Sequence, residues 1–153
     1  MINNIFTNIL CPFFGTIGFS VLFNVPKRFY LSCGITGTLG WIIYCLTVDA
    51  TSPAIASFLG TLGVVLLARM LTVYMKCPIT IFLISGIFPL VPGAGVYFTA
   101  YYLVTDQLAL AAQQGMSAVK IAFGIVLGIV FIVAIPREVF NPAYWKQRKS
   151  RKT

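Results

Sequence analysis

The sequence predicts an all-α membrane protein with about five transmembrane helices, of which the fourth is broken at a motif of prolines and glycines. Hydrophobic residues make up 59% of the 153 residues and charged residues only 9%, whereas a soluble domain carries about 25% charged residues. Apolar stretches recur along the chain, and the fourth contains two prolines and two glycines within seven residues. This composition excludes a water-soluble globule.

The spans follow from the thickness of the bilayer. A helix needs about 20 apolar residues to cross a hydrocarbon core about 30 Å thick, because each residue rises about 1.5 Å. Five stretches meet this requirement: residues 2–25, 29–48, 53 to between 69 and 75, 78–104 and 117–136. The chain is therefore divided into a transmembrane domain, residues 1–136, and a basic juxtamembrane tail, residues 137–153.

The basic residues predict the orientation. With five spans, ten of the eleven basic residues fall on one side: Lys27, Arg28, Arg69, Lys76, Arg137, Lys146, Arg148, Lys149, Arg151 and Lys152. The positive-inside rule makes that side cytoplasmic. We therefore expect a multi-pass protein of the cell membrane with its amino terminus outside and its carboxy terminus inside.

The basic tail is expected to lie at the inner membrane surface. Phe140–Trp145 is aromatic and follows the fifth span, and Lys146–Lys152 carries the cations that favour anionic lipid. Nucleic-acid binding is the rival interpretation of such a cluster. A position directly after a span is explained more simply by lipid, so no nucleic-acid partner is expected.

A pattern of small residues recurs in the first three spans as Gly15–Gly18, Gly37–Gly40 and Gly60–Gly63, each of the form Gly-Thr-x-Gly. Glycines let helix backbones approach closely, and threonines can form hydrogen bonds between helices. Tight helix packing is the simpler interpretation of the pattern. The alternative is that the threonines line a polar path.

The middle of the fourth span reads Phe-Pro-Leu-Val-Pro-Gly-Ala-Gly-Val-Tyr from residue 88 to residue 97. Proline removes a backbone donor, and glycine opens other backbone conformations. The helix should therefore unwind near the middle of the membrane, where freed backbone groups must face protein or a wet cavity. The half-helix after Gly95 would direct its amides at an anion such as a carboxylate, with the Tyr97 and Thr99 hydroxyls beside it. A kink used only for packing is the alternative.

The remaining polar residues leave few chemical options. Arg69 and Lys120 are expected to extend to the interfaces, because buried charge is costly; pairing with a substrate carboxylate is the alternative. Asn24–Arg28 is either a turn with anchoring charges or part of a site. The chain has no histidine and only three acidic residues, all at predicted span ends. No metal, no cofactor and no enzymatic activity are therefore expected.

Two motifs carry a resemblance to a known family. They are Gly18-Phe19 followed by Phe23-Asn24-Val25-Pro26-Lys27-Arg28, and Phe88-Pro89-Leu90-Val91-Pro92-Gly93 followed by Tyr97. With these motifs the chain resembles the smaller, carboxy-terminal-type half of the threonine/serine exporter family. The positions that the resemblance carries over are Asn24, Pro26, Arg28, Pro89, Pro92, Gly93 and Tyr97.

The resemblance implies a partner: a larger exporter half with a cytoplasmic domain and its own membrane spans, in a hetero-oligomer that can be of higher order. The implied function is a secondary exporter subunit for small carboxylate-bearing solutes, namely threonine, serine or a dicarboxylate such as succinate. A phosphate-binding loop of the type G-x-x-x-x-G-K-[ST] does not occur, which excludes ATP as the drive within this chain. The alternatives are a structural or pore-forming subunit without its own substrate site and, much less favoured by these residues, a membrane-embedded enzyme.

Overall fold

The computed structural model describes residues 5–135, and in that part of the chain every regular element is helical. Six α-helices follow one another, and two short 3-10 turns, Lys27–Phe29 and Phe88–Leu90, precede α2 and interrupt the fourth span. The helices are α1 (Ile5–Leu22), α2 (Tyr30–Val48), α3 (Pro53–Met75), α4 (Thr80–Ile87), α5 (Gly93–Val104) and α6 (Leu108–Val133).

The predicted all-α membrane fold is confirmed. By length and composition, α2, α3 and α6 can each cross a membrane, and the pair α4–α5 passes the same test as one span bent by 51°. The predicted first span is helical and apolar, but its Thr7–Leu22 stretch is shorter than a full crossing. The structure thus gives four candidate spans. That α1 also crosses the membrane, which would make five spans, remains a prediction.

One predicted boundary differs clearly from the observed one. The helix α6 begins at Leu108, nine residues before the predicted start at residue 117. The added segment is rich in Ala, Leu and Gln, which are good helix formers. The predicted basic tail, residues 137–153, lies outside the described residues, as do the aromatic residues Phe140, Tyr144 and Trp145.

The helices pack in a row with α3 at its centre: α1 lies on α2, α2 and α6 lie on α3, and α5 lies mainly on α6. Glycines make the closest of these contacts. A Cβ atom at Gly60 would stand 2.9 Å from the Gly40 carbonyl oxygen, and a Cβ atom at Gly37 would collide with Thr16. The repeated glycines of α2 and α3 therefore serve helix packing, as their spacing suggested.

The threonines of the same repeats do not line a path. Thr16, Thr38 and Thr61 are all buried. Each hydroxyl donates a hydrogen bond to the carbonyl four residues earlier in its own helix, at 2.6 to 2.8 Å. These three hydroxyls thus bond within their own helices and not between helices, and their polar groups are satisfied within the packed interior.

The helices α3 and α6 run parallel but are offset along their length. A Cβ atom at Gly124 would collide with the Ala54 carbonyl oxygen at the start of α3, and one at Gly128 would meet Thr61 at 2.9 Å. Residues 108–123 of α6 therefore extend past the beginning of α3, over about 24 Å at about 1.5 Å per residue. This extension packs against α5.

Arg69 joins the other ends of these two helices. Its side chain is only 6% exposed, and its Nη2 donates a hydrogen bond of 2.8 Å to the carbonyl of Val133, the last residue of α6. A cation at a helix carboxy terminus satisfies a carbonyl that lacks an intrahelical donor. The Arg69 guanidinium is therefore used inside the protein, at the end of α6, and its extension to the membrane interface stays a prediction.

Candidate functional site

The break in the fourth span lies at Val91 and Pro92. Val91 is extended, with φ −63° and ψ 131°, because the ring of a following proline disfavours the helical conformation. Pro92 also has a non-helical ψ of 54° and is the N-cap of α5. The predicted break is thus present, and the prolines are its cause.

The glycines of the motif act differently from the prediction. No glycine among the described residues has a positive φ, and Gly93 and Gly95 both belong to the first turn of α5. A Cβ atom at Gly95 would lie 3.2 Å from the Ala118 Cβ atom, so this glycine allows α5 to approach α6. Gly93 has open space around it, with no neighbouring atom within 4 Å of an added Cβ atom.

The start of α5 offers backbone donors. The Gly93 amide donates to the Val91 carbonyl at 2.8 Å, and the Val96 amide donates to the Pro92 carbonyl at 3.1 Å. The amides of Ala94 and Gly95 have no carbonyl one turn earlier in the helix, and no side chain caps this end. The half-helix therefore begins at Gly93, three residues earlier than predicted, and presents two amides suited to an anion.

Tyr97 and Thr99 point in different directions from α5. Tyr97 is 64% exposed, and its ring meets Phe98 edge-on. Thr99 is half-buried: its methyl group lies 3.3 Å from the Cβ position of Gly115 in α6, and its hydroxyl donates to the Gly95 carbonyl at 2.7 Å. Tyr97 is thus available to a ligand, whereas Thr99 holds α5 against α6.

Pro89 lies on the opposite side of the break, in a cleft of about 260 Å³. The cleft is lined by Thr7, Asn8, Cys11, Pro12, Trp41 and Pro89. Because Pro12 has no N–H group, the Asn8 carbonyl lacks the donor that a residue four positions later would supply. An amide side chain, a freed carbonyl and an indole therefore lie beside the break. Apart from the proline in α1, no spacing in the sequence predicts a role for Asn8 or Trp41, because only folding brings these segments together.

Asn24 has a structural reason of its own. It has φ 55°, its amide donates to the Val21 carbonyl at 3.0 Å, and the Val25 amide donates to the Ser20 carbonyl at 3.0 Å. This pair of bonds is the Schellman motif that ends many helices, and asparagine accepts its left-handed position better than most residues. The exposed Asn24 thus ends α1 at the predicted cytoplasmic side.

Arg28 is exposed at the same turn, with its guanidinium carbon 4.6 Å from the centre of the Phe29 ring. The turn between α3 and α4 lies nearby. Burial raises the pKa of the Cys77 thiol in that turn, and the positive charge of Arg28 acts in the opposite direction. The two turns predicted to be cytoplasmic therefore lie at one end of the molecule.

Aromatic contacts join the two motif segments. The Phe19 and Phe88 rings stack with centroids 3.3 Å apart, and the Phe23 ring lies 5.9 Å from that of Phe88. The turn holding Asn24 is thereby connected to the break that follows Phe88. The structure places Pro89, Pro92, Gly93 and Tyr97 around the break and Asn24 and Arg28 at the end of α1.

Comparison with known proteins supports the family resemblance that these two motif segments carry. The profile of the family described as "Threonine/Serine exporter, ThrE" matches residues 8–135. The chain belongs to the threonine/serine exporter family. The matched region includes both motifs and the whole of the break.

A relative from Haemophilus influenzae, described as an uncharacterized protein, is 31% identical over 136 residues. The match covers 81% of this chain and 43% of that protein, so the chain spans less than half the length of this relative. No solved structure matches the chain.

The family description names an exporter, which agrees with the expectation that the chain is not an enzyme. The described residues contain no group of three or more His, Cys, Asp or Glu side chains able to hold a metal ion. The site at the break therefore consists of backbone amides, a phenol, prolines and a nearby asparagine. These groups can bind and release a small polar solute.

Proposed function

We propose that the chain is the small membrane half of a two-component secondary exporter that carries small carboxylate-bearing solutes out of the cell. The observation that carries the proposal is the broken fourth span, in which the uncapped start of α5 faces open space at Gly93. Backbone amides at a helix start favour a carboxylate. The family description suggests threonine and serine as solutes, and dicarboxylates such as succinate carry the same carboxylate group.

The proposed path passes the break. Pro89 and Pro92 keep the helix open, the amides of Ala94 and Gly95 meet the carboxylate, and Tyr97 adds a hydroxyl. Asn24 and Arg28 form the cytoplasmic mouth, where the cation attracts anionic solutes. Thr99 supports the path by holding α5 on α6.

The proposed partner is a larger half with its own spans and a cytoplasmic domain. Two features support it. The relative from Haemophilus influenzae extends well beyond the part that this chain matches. In addition, α5 has no buried residue, although it is apolar. Such a hetero-oligomer would lie in the cell membrane, with the amino terminus of this chain outside and its carboxy terminus inside.

Replacement of Gly93 by leucine tests the path. No atom lies within 4 Å of an added Cβ atom at Gly93, so the variant should fold normally while the larger side chain fills the path. We expect export of radiolabelled threonine, serine or succinate from cells expressing Gly93→Leu to fall at least about tenfold, or by about 1.4 kcal/mol in the activation barrier.

The matched control is Ala122→Leu, which places the same side chain on an exposed face of α6. It should export at the wild-type rate. Both variants are compared at equal amounts of membrane-inserted protein with equal melting temperatures in detergent. Wild-type export by well-folded Gly93→Leu would show that the break serves packing only, which is the structural-subunit alternative.

Reconstitution tests the partner. Proteoliposomes holding this chain alone should not release a preloaded carboxylate solute, whereas co-expression with the larger half should give export. Full transport by the chain alone would refute the two-component arrangement and leave the site at the break intact.

A further inference from the structure

A second cavity lies away from the break, on the other face of α6. It has a volume of about 440 Å³ and lies between the start of α3 and the first half of α6. Its lining residues are Ser52, Pro53, Ala54, Gln113, Met116, Ser117, Lys120 and Ile121. Ligand pockets for small molecules fall in the range of about 300–1,000 Å³.

Lys120 gives this cavity its charge. It is the single basic residue outside the side predicted to be cytoplasmic, and it is exposed on α6 at the level where α3 begins. An exposed ammonium group at this level can meet a solute that enters the cavity from outside. No lining residue of the cavity is acidic, so the cavity itself supplies no counter-charge.

The other polar groups of the cavity can all donate hydrogen bonds. Ser52 and Ser117 bring hydroxyls, and Gln113 brings an amide. Ser52 is also the N-cap of α3, where it accepts a hydrogen bond of 3.4 Å from the Ile55 amide. One ammonium group with several neutral donors and no acid is a combination that suits an oxyanion.

The cavity is separate from the site at the break. The face of α6 that carries Ala118 and Gly115 contacts α5, through Gly95 and Thr99 respectively. The face that carries Ser117 and Lys120 lines the cavity towards α3. The same stretch of α6 thus has the broken span on one side and a cationic cavity on the other.

We infer that this cavity is a second binding site for a small carboxylate, in which the Lys120 ammonium pairs with the carboxylate and the Ser52 and Ser117 hydroxyls donate to it. The identity of the solutes rests on the proposed function. The cavity lies at the end of the helices predicted to face outside, so the site would be reached from there, where an exporter releases its solute.

A thiol-protection experiment tests the site without relying on transport. The full chain is prepared with its four cysteines replaced by alanine and with Met116→Cys as the reporter, in right-side-out membrane vesicles. Met116 is an exposed lining residue of the cavity that donates no hydrogen bond to the carboxylate. A membrane-impermeant thiol reagent is added from outside, and its rate of reaction is measured with L-threonine, succinate or L-threoninamide present. Threonine and succinate should slow the reaction, and threoninamide, which lacks the carboxylate, should not.

Substitutions of the lysine identify the group responsible. Lys120→Gln should raise the half-protecting concentration of threonine at least about tenfold, or about 1.4 kcal/mol, whereas Lys120→Arg should keep it within a fewfold. The matched control is Lys76→Gln, at the exposed end of α3 away from the cavity, which should change nothing. Equal protection in Lys120→Gln and in the parent chain would overturn the assignment.

Two further outcomes are decisive. An anionic lipid headgroup offers the same oxyanion chemistry. Slow labelling that depends on phosphatidylglycerol in reconstituted vesicles and ignores threonine and succinate would assign Lys120 to lipid and refute a solute site. Protection by carboxylates in a chain that exports none of them with its partner would support the site and refute the proposed function instead.

Discussion

The two halves of the broken fourth span differ in what surrounds them, although both are apolar. The first half, α4, lies within the bundle and buries Phe82, Ser85 and Gly86 against α1, α2 and α3. The second half, α5, buries no residue and contacts mainly α6. The break at Val91 and Pro92 separates a helix that is packed against three others from one that is packed mainly on α6.

This difference indicates that α5 is covered by something other than the helices of this chain. A helix packed on one side only, with Val96, Tyr97, Tyr101 and Val104 exposed, must be covered by lipid or by another protein. The uncapped start of α5 is not compatible with lipid, because freed backbone groups cannot face hydrocarbon. A solute path or a second half of the exporter satisfies it, and both belong to the proposed function.

The largest effect on stability is expected where the closely packed helices α2 and α3 are forced apart. Gly60→Leu places a side chain where even a Cβ atom would lie 2.9 Å from the Gly40 carbonyl oxygen. Because that oxygen belongs to the backbone, α2 and α3 must separate, and we expect a loss of about 3 kcal/mol, the upper end of the usual cost of overpacking, in the free energy of unfolding. Thermal unfolding in detergent, followed by circular dichroism, measures the loss.

The first copy of the same repeat supplies the control. Gly15 has no atom within 4 Å of an added Cβ atom, so Gly15→Leu should unfold within about 0.5 kcal/mol of the parent chain. Equal melting temperatures for Gly60→Leu and the parent chain would mean that α2 and α3 do not approach as closely as described.

A smaller effect on stability is expected at Asn24, the exposed residue that ends α1. Asn24→Ala puts a Cβ-bearing residue without local polar stabilisation at φ 55° and should cost about 1 kcal/mol, whereas Asn24→Gly should be neutral in stability. Thermal unfolding of both variants measures this, and export of Asn24→Gly then separates the two roles. Reduced export by stable Asn24→Gly supports the proposed mouth, while wild-type export would leave Asn24 as a helix terminator only.

Helices α2 and α3 and the break in the fourth span were predictable from the sequence, because the patterns that predict them are local. Span length, the glycine repeats and the proline pair each act within a few residues, and they correctly gave α2, α3 and the break. The predicted start of α6 at residue 117 is too late, because the helix continues through the less apolar segment with Gln113 and Gln114, which favour helix. The predicted role of the motif glycines is also wrong, because the closeness of Gly95 to Ala118 is a tertiary property.

The site was predictable only in part for the same reason. Pro89, Pro92, Gly93 and Tyr97 stand together in sequence and remain together in the fold. The cleft beside Pro89 draws Asn8 from α1 and Trp41 from α2, and the second cavity draws Ser52 from the start of α3. No spacing rule in the sequence connects such distant positions. The burial of Arg69 depends likewise on where α6 ends, 64 residues later.

The smallest effect, a reduced rate of export, is expected at Tyr97 on α5, the exposed second half of the fourth span. Tyr97→Phe keeps the edge-on contact with Phe98, whose ring centre lies 5.4 Å away, so folding should not change. Only the hydroxyl is lost, and one hydrogen bond is worth about 0.5–1.5 kcal/mol net. The initial rate of threonine export per inserted protein should therefore fall roughly twofold to tenfold.

The control for this prediction is Tyr101→Phe. Tyr101 lies one helical turn further from the break and is also exposed. If the Tyr97 hydroxyl meets the solute at the break, export should fall for Tyr97→Phe and stay unchanged for Tyr101→Phe. An equal fall in both would assign the hydroxyls to contact with the partner half along the whole of α5. No fall in either would remove the hydroxyl from the path and leave the amides of Ala94 and Gly95 as the groups that meet the carboxylate.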